Sequence, residues 1–245
     1  MTRLPIADIH RRTLLRGIAG ASATLTMART GAAQSAPLKI ATIGAGHIGG
    51  TLGALWVKAG HKVMFSSRHP EELKDMVGGL GPLASAGTTA EAVAFGDVIF
   101  LAVPYSAIRQ IGVDFGHDLA TKVLVLDASN PIVARDGDAA TWAREKGAGL
   151  ATAELIPGVH LVRAFNAVGY MKVREDAADP SKKIGMPMAG DDPKAIAIAT
   201  TLVKEAGFEP VLIGPLDMGK YLIPGTPLGG EHTADEIRQI VAGLK

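Results

Sequence analysis

The chain has 245 residues, with 25 basic and 24 acidic side chains, seven histidines and no cysteine. That length suits one domain with a small appendage and a sizeable core, and the missing cysteine excludes disulfides, thiolate catalysis and Cys-ligated zinc. The near-balanced charge gives no footing for a nucleic acid, and no apolar run of about 18 residues marks a transmembrane helix.

The first 36 residues read apart from the rest. His10-Arg11-Arg12-Thr13-Leu14-Leu15-Arg16 precedes a mildly apolar stretch over 17–28 and then small residues over 31–36. This resembles a twin-arginine export signal, with Leu14 where the consensus has Phe, and cleavage after Ala33 or Ser35 fits the need for small residues. The expectation is export to the periplasm; the alternative is a disordered basic leader on a cytoplasmic protein. The leader holds five of the basic residues and one of the acidic, so residues 37–245 carry a net charge of −3.

The body begins with a βαβ unit. Leu38, Ile40, Ala41 and Ile43 form a short buried strand, and Gly44-Ala45-Gly46-His47-Ile48-Gly49 follows as G-x-G-x-x-G. Leu52, Leu55, Trp56 and Ala59 then repeat with helical spacing, Gly60 ends the helix, and residues 62–66 make a second strand. Gly44 allows the tight turn, Gly46 lets backbone approach a pyrophosphate, and Gly49 lets helix and strand pack closely. About twenty residues past that turn, where an NAD site has an acid for the ribose 2′-hydroxyl, stand Ser66, Ser67 and Arg68. Two hydroxyls and a guanidinium suit a 2′-phosphate, so NADP(H) is expected, with His69 and Lys74 adding positive potential.

Residues 71–77 read as a helix, 78–82 as a glycine-rich loop and 83–85 as a short strand. Thr88 and Glu91 make a capping box for a helix through Phe95. Residues 97–104, 122–126 and 159–163 are further buried strands. Their exits carry Val103-Pro104-Tyr105-Ser106, Asp127-Ala128-Ser129-Asn130-Pro131 and Ala164-Phe165-Asn166, so three strand ends converge on one crevice. Residues 137–156 are helical, 176–183 a polar exposed loop and 183–189 a strand. Pro193 and Gly207 bracket a helix, 208–213 is the last strand, and a helix over 233–242 closes the chain. The fold class is therefore α/β, a doubly wound, Rossmann-like, mainly parallel sheet in one domain over 37–245 with a small C-terminal extension.

These places together resemble the F-420-dependent NADP oxidoreductase family: residues 43–49, Ser66-Ser67-Arg68, Leu101-Ala102-Val103-Pro104-Tyr105, Ala164-Phe165-Asn166, and Ala189-Gly190-Asp191-Asp192 with Ile213-Gly214-Pro215-Leu216. The resemblance covers residues 38 to about 216. It implies hydride transfer between NADP(H) and a deazaflavin or other flavin-type acceptor. It further implies that Ala45, Gly46, His47 and Ile48 hold the pyrophosphate, that Ser67 and Arg68 hold the 2′-phosphate, and that Val103, Pro104, Asn130 and Ala164 line the nicotinamide ribose and ring. Two places depart from the family: Asn166 stands where deazaflavin users have His, and residues 221–230 replace a Leu- and Asn-rich tail. Both fall at the second substrate, which leaves F-420 or an FMN-like flavin open.

Hydride transfer to such a ring asks little of protein acids and bases, so no catalytic residue is singled out. Tyr105 is expected to pack against the cofactor, and His160, early in a strand, to be structural. Glu231 and His232 lie in the tail, within reach of the pocket mouth. The scattered histidines have no metal-binding spacing, so no metal is expected. The expected partner is a small-molecule substrate, and a homodimer is one assembly open to the chain. Two alternatives remain: an imine reductase like pyrroline-5-carboxylate reductase, which would need a large helical domain after Asn166, and a non-catalytic NADP-binding redox sensor.

Overall fold

Neighbouring residues of the first strand belong to different cores: Ile40 packs with one apolar cluster and Ala41 with another, both fully buried. A strand buried on both faces requires a helical layer on each side. The computed structural model describes residues 36–244, the side chain of Pro180 excepted, and the expected leader lies outside these residues apart from Ala36.

Eight strands form one sheet: β1 (Lys39–Ile43), β2 (Lys62–Ser66), β3 (Ala84–Gly87), β4 (Val98–Leu101), β5 (Leu124–Asp127), β6 (Leu161–Arg163), β7 (Gly185–Gly190) and β8 (Glu209–Gly214). The order is β3-β2-β1-β4-β5-β6-β7-β8. The first six strands are parallel, β7 runs antiparallel to β6, and β8 is parallel to β7. The chain reverses its direction of winding between β1 and β4, which opens a crevice at their carboxyl ends.

The helices are α1 (His47–Lys58), α2 (Lys74–Leu80), α3 (Thr89–Phe95), α4 (Ile108–Leu119), α5 (Val133–Asp136), α6 (Asp138–Lys146), α7 (Ala148–Leu155), α8 (Tyr170–Ala178), α9 (Pro193–Glu205) and α10 (Ala234–Gly243). Apolar residues of α1, α8 and α9 cover one face, and those of α3, α4, α6 and α7 cover the other. On the first face Trp56 meets Phe100 edge-on at 4.9 Å between ring centroids, and Phe165 packs between Phe100 and Phe208. The Trp56 indole N–H donates to the Leu202 carbonyl at 2.9 Å, which ties α1 to α9 across this cluster. A third core joins α10 and the segment around Leu222 and Leu228 to β7 and β8. This is the expected C-terminal extension.

The capping box at Thr88 and Glu91 forms as expected, and a second one at Thr233 and Glu236 starts α10. Three readings change. Gly78 and Gly79 lie inside α2, which runs on until Gly81 takes φ +88. Residues 176–178 close α8 instead of starting an exposed loop; the Asp176 side chain is buried and bonds Lys182 at 2.7 Å. Residues 105–121, to which the sequence pattern assigns no element, hold a 3₁₀ turn and α4.

One buried polar network crosses the second core. Arg163 at the end of β6 pairs with Asp127 at the end of β5, both side chains fully buried. The Thr152 hydroxyl of α7 donates to Asp127 at 3.0 Å and lies 3.1 Å from the Tyr105 hydroxyl. A chain Tyr105 to Thr152 to Asp127, each hydroxyl donating to the next oxygen, satisfies all three groups. Burial, with the Asp127 charge adding to it, pushes the Tyr105 phenol up to about 12, against the pull of the Thr152 bond and of Arg163.

Tyr105 is 1% exposed, so only its neutral form suits the folded state. A raised folded-state value means that the contribution is complete below pH ~10, where an unfolded tyrosine ionises, and is lost as pH climbs towards about 12. Against Tyr105→Phe, the difference in unfolding free energy should be constant below pH ~9 and fall by about 2–3 kcal/mol by pH ~12. Urea titrations across that range check it; a difference independent of pH would mean that the phenol ionises equally in both states.

Candidate functional site

The crevice is built on close backbone contact. Gly44 has φ +95, and a Cβ there would lie 2.5 Å from the Ala102 carbonyl oxygen at the exit of β4. At Gly49 a Cβ would come within 1.8 Å of the Gly44 oxygen. Only glycine allows α1 to start so near both strand ends. Gly46 differs, since a Cβ there would meet nothing within 4 Å, and this open space faces the helix start. Gly46 caps α1 without a side-chain hydrogen bond, and the first turn holds no acidic residue. The free N–H groups of that turn are thus available to an anion.

Two clefts meet here. The first, about 700 Å³, runs from Ile43, Gly44, Ala45 and Gly46 to Ser66, Ser67 and Arg68, and is closed by Val103, Pro104 and the first turns of α4. Its size suits a small-molecule site. The Ser66 hydroxyl is buried without a partner among the described residues, and Ser67 Oγ accepts from the His69 N–H at 3.0 Å. Arg68 is exposed and pairs with no carboxylate among the described residues. His69 lies 3.4 Å from Glu71, and Lys74 is not part of the lining.

The second cleft, about 510 Å³, shares the Ala102-Val103-Pro104 wall. His47 and Ile48 form one side, Asn130, Phe165 and Asn166 the floor, and Tyr170 and Pro224 the rim. Asn130 donates through Nδ2 to the Asn166 carbonyl at 2.8 Å, and Asn166 through Nδ2 to the Ser129 carbonyl at 3.2 Å. Both Oδ1 atoms and the Ser129 hydroxyl stay buried without partners among the described residues. Phe165 takes φ +65, a conformation rare for a bulky residue. It turns the chain so that the ring joins the aromatic core while Asn166 reaches the floor.

Arg163 supports that floor from below, its Nη2 donating to the Ser129 carbonyl at 3.0 Å. On the opposite wall Arg135 grips Asp136 and donates to the Asn130 carbonyl at 2.8 Å. The Asp136 carboxylate also accepts from Ser106 and from the Ile132 N–H. Although burial pushes Asp136 up, these bonds, that of Arg135 first, outweigh it and hold the carboxyl below its usual range. His47 and Tyr170 stack at 4.2 Å with a 9° interplanar angle. The tail closes this side, with the Gly230 N–H donating to the Ala167 carbonyl at 2.9 Å.

Most of the expected site residues come together in these two clefts. Ala164 does not: it is fully buried in the core, and Phe165 and Asn166 take its place at the floor. Gly49 serves by packing and lines neither cleft. Tyr105 is corrected as well, its phenol turned into the core. His160 pairs with Asp192 at 2.5 Å outside both clefts, as a structural histidine, and Glu231 and His232 line neither. Arg135, Asp136 and Tyr170 were missed. The first two follow Asn130 within six residues, and only the turn of α5 brings them back to it. No group of metal-binding side chains occurs among the described residues.

Residues 39–131 match the family model described as NADP oxidoreductase coenzyme F420-dependent. Every residue lining the first cleft falls within that segment, whereas Arg135, Phe165, Asn166, Tyr170 and Pro224 of the second lie beyond it. Among solved structures, the chain is similar to the hypothetical protein SMa0349 from Sinorhizobium meliloti, at 28% identity and TM-score 0.67 over 80% of this chain and 94% of that one. It is also similar to a protein described provisionally as an F420-dependent NADP-reductase from Arthrobacter sp. FB24, at 20% identity and TM-score 0.63 over 79% and 97%. An imine reductase from Pseudomonas sp. shares the fold at 14% identity and TM-score 0.55, over 85% of this chain and 62% of that one.

Proposed function

We propose that this chain, an NADP-dependent oxidoreductase, passes hydride between NADP(H) in the first cleft and a flavin-type ring, a deazaflavin or FMN-like acceptor, in the second. The observation that carries the reading is the shared Val103-Pro104 wall, which joins an anion-ready helix start and Ser66-Ser67-Arg68 to a second cleft. The residues fit the cofactor: open space at Gly46 for a pyrophosphate, and an unpartnered Ser66 hydroxyl beside the exposed Arg68 for a 2′-phosphate.

When bound, the nicotinamide supplies or accepts the hydride. The protein's task is to hold ring against ring and keep water out. Val103 and Pro104 form the wall, the Asn130 and Asn166 amides orient polar ring substituents, and Pro224 and Tyr170 narrow the mouth. The lining of the second cleft includes Arg135 and no carboxylate. An iminium substrate would find no counter-ion there, which favours a neutral or anionic ring over the imine-reductase alternative. After Asn166 the chain also supplies β7 and β8 where an all-helical domain would otherwise stand.

Location belongs to the same reading: residues 1–36 direct folded export with the cofactor already bound, the cytoplasm being the alternative. A reporter fused to residues 1–40 should be exported, and replacing Arg11 and Arg12 by Lys should stop it; export that survives the replacement removes the twin-arginine assignment.

Purified full-length protein should oxidise NADPH anaerobically with F-420 or FMN and leave it unchanged without an acceptor. Turnover of a cyclic imine alone would favour the alternative, and tight NADPH binding with no turnover would favour a sensor. Arg68→Glu should weaken NADPH by roughly 2 kcal/mol or more relative to NADH, since a charge-assisted contact is lost and a repulsion added. Titrations with both nucleotides check it, and equal weakening would remove Ser66-Ser67-Arg68 as the 2′-phosphate site.

A further inference from the structure

Reducing a flavin-type ring takes a proton as well as a hydride, and the second cleft offers few sources. Its lining contains three ionisable side chains, Arg135, Tyr170 and His47. A guanidinium does not release its proton in a protein, and of these side-chain types imidazole is the one that exchanges protons near neutral pH. His47 is exposed to solvent, belongs to both the glycine turn and the second cleft, and is stacked on Tyr170. No carboxylate among the described residues pairs with it.

We propose that His47, held by the Tyr170 ring, takes up a proton when the dinucleotide binds and delivers it to the acceptor, which is a neutral or anionic N-heteroaromatic ring. This rests on the nucleotide reading above. His47 opens the first turn of α1, and Arg135 shares the lining of the second cleft with it. Along α8 stand Lys172, Arg174 and Glu175, and Glu231 of the tail lies 3.7 Å from Lys172. A pyrophosphate at the helix start attracts an imidazolium at His47, and the parallel Tyr170 face supports it by cation–π attraction.

The balance of the step is complete. The acceptor gains two electrons and one proton as hydride from the dihydronicotinamide. An imidazolium N–H bond of His47 breaks as an N–H bond forms on a ring nitrogen of the acceptor, and solvent reprotonates the imidazole. His47 is thereby a proton donor, and Tyr170 a positioning residue.

The test is calorimetry of NADP+ binding to the full-length protein in two buffers of different ionisation enthalpy, with affinity followed from pH ~6 to ~8.5. Wild type should take up a proton on binding and lose about tenfold in affinity as pH rises, because the imidazole then holds its proton about tenfold more tightly with the dinucleotide bound than without it. In His47→Gln both effects should vanish, and turnover with a flavin-type acceptor should fall at least about tenfold and lose its alkaline limb. Tyr170→Phe, which keeps the ring, should retain more of the proton linkage than Tyr170→Leu. Binding with no proton uptake, or uptake that survives in His47→Gln, overturns the proton role and leaves the nucleotide assignment standing. No NADP+ binding at any pH overturns both.

Discussion

The distance between α1 and the strand ends is the constraint on which the site depends. With no room for a Cβ at Gly44 or Gly49, the helix start is held against the Ala102 carbonyl, and its free N–H groups are fixed where β1 and β4 diverge. Trp56 anchors the other end of the same helix, through Phe100 on the sheet and the Leu202 carbonyl on α9. A helix pinned at both ends by backbone contact and aromatic packing costs little further ordering when an anion binds. The cradle is built before the ligand arrives.

The floor of the second cleft is held by a different kind of force. Asp127 and Arg163 are a fully buried ion pair, an arrangement whose desolvation cost often cancels its attraction. Its effect here is positional. Arg163 and Asn166 donate to one oxygen, the Ser129 carbonyl, and the Ser129 N–H donates back to Asp127 at 2.7 Å. Those bonds fix the exits of β5 and β6 relative to each other and fix the Asn166 amide. Phe165 at φ +65 is the strained link that this network and the aromatic core together hold in place.

The first cleft was legible in the sequence because its information is local. A turn that must approach a helix needs glycine at set intervals, and a 2′-phosphate needs hydroxyls and a guanidinium at the next strand end, so residues 44–49 and 66–68 carry their roles in their types. The capping box at Thr88 and the strand runs were legible for the same reason. Gly78 and Gly79 misled, since a glycine pair reads as a loop unless packing shows that the helix passes through it. Ala164 misled because a strand-end residue faces core or cleft according to a backbone angle, and nothing in the sequence announced φ +65 at the next residue. Asp127 and Arg163 stand 36 residues apart, and no local pattern pairs them.

The same division separates the two clefts. The first cleft lies wholly within residues 39–131, the segment that matches the family model. The second cleft is assembled from α1, the β5 exit, α5, the β6 exit, the start of α8 and the tail at Pro224, so several of its walls lie outside that segment. Its chemistry must therefore be read from its own side chains. Arg135 is held to Asp136, the floor offers amide and hydroxyl oxygens without partners, and no carboxylate joins the lining. Such a lining offers hydrogen-bond acceptors and gives a cation no carboxylate partner among the described residues. Asn166, a neutral amide held to the Ser129 carbonyl, leaves His47 as the imidazole among the described lining residues.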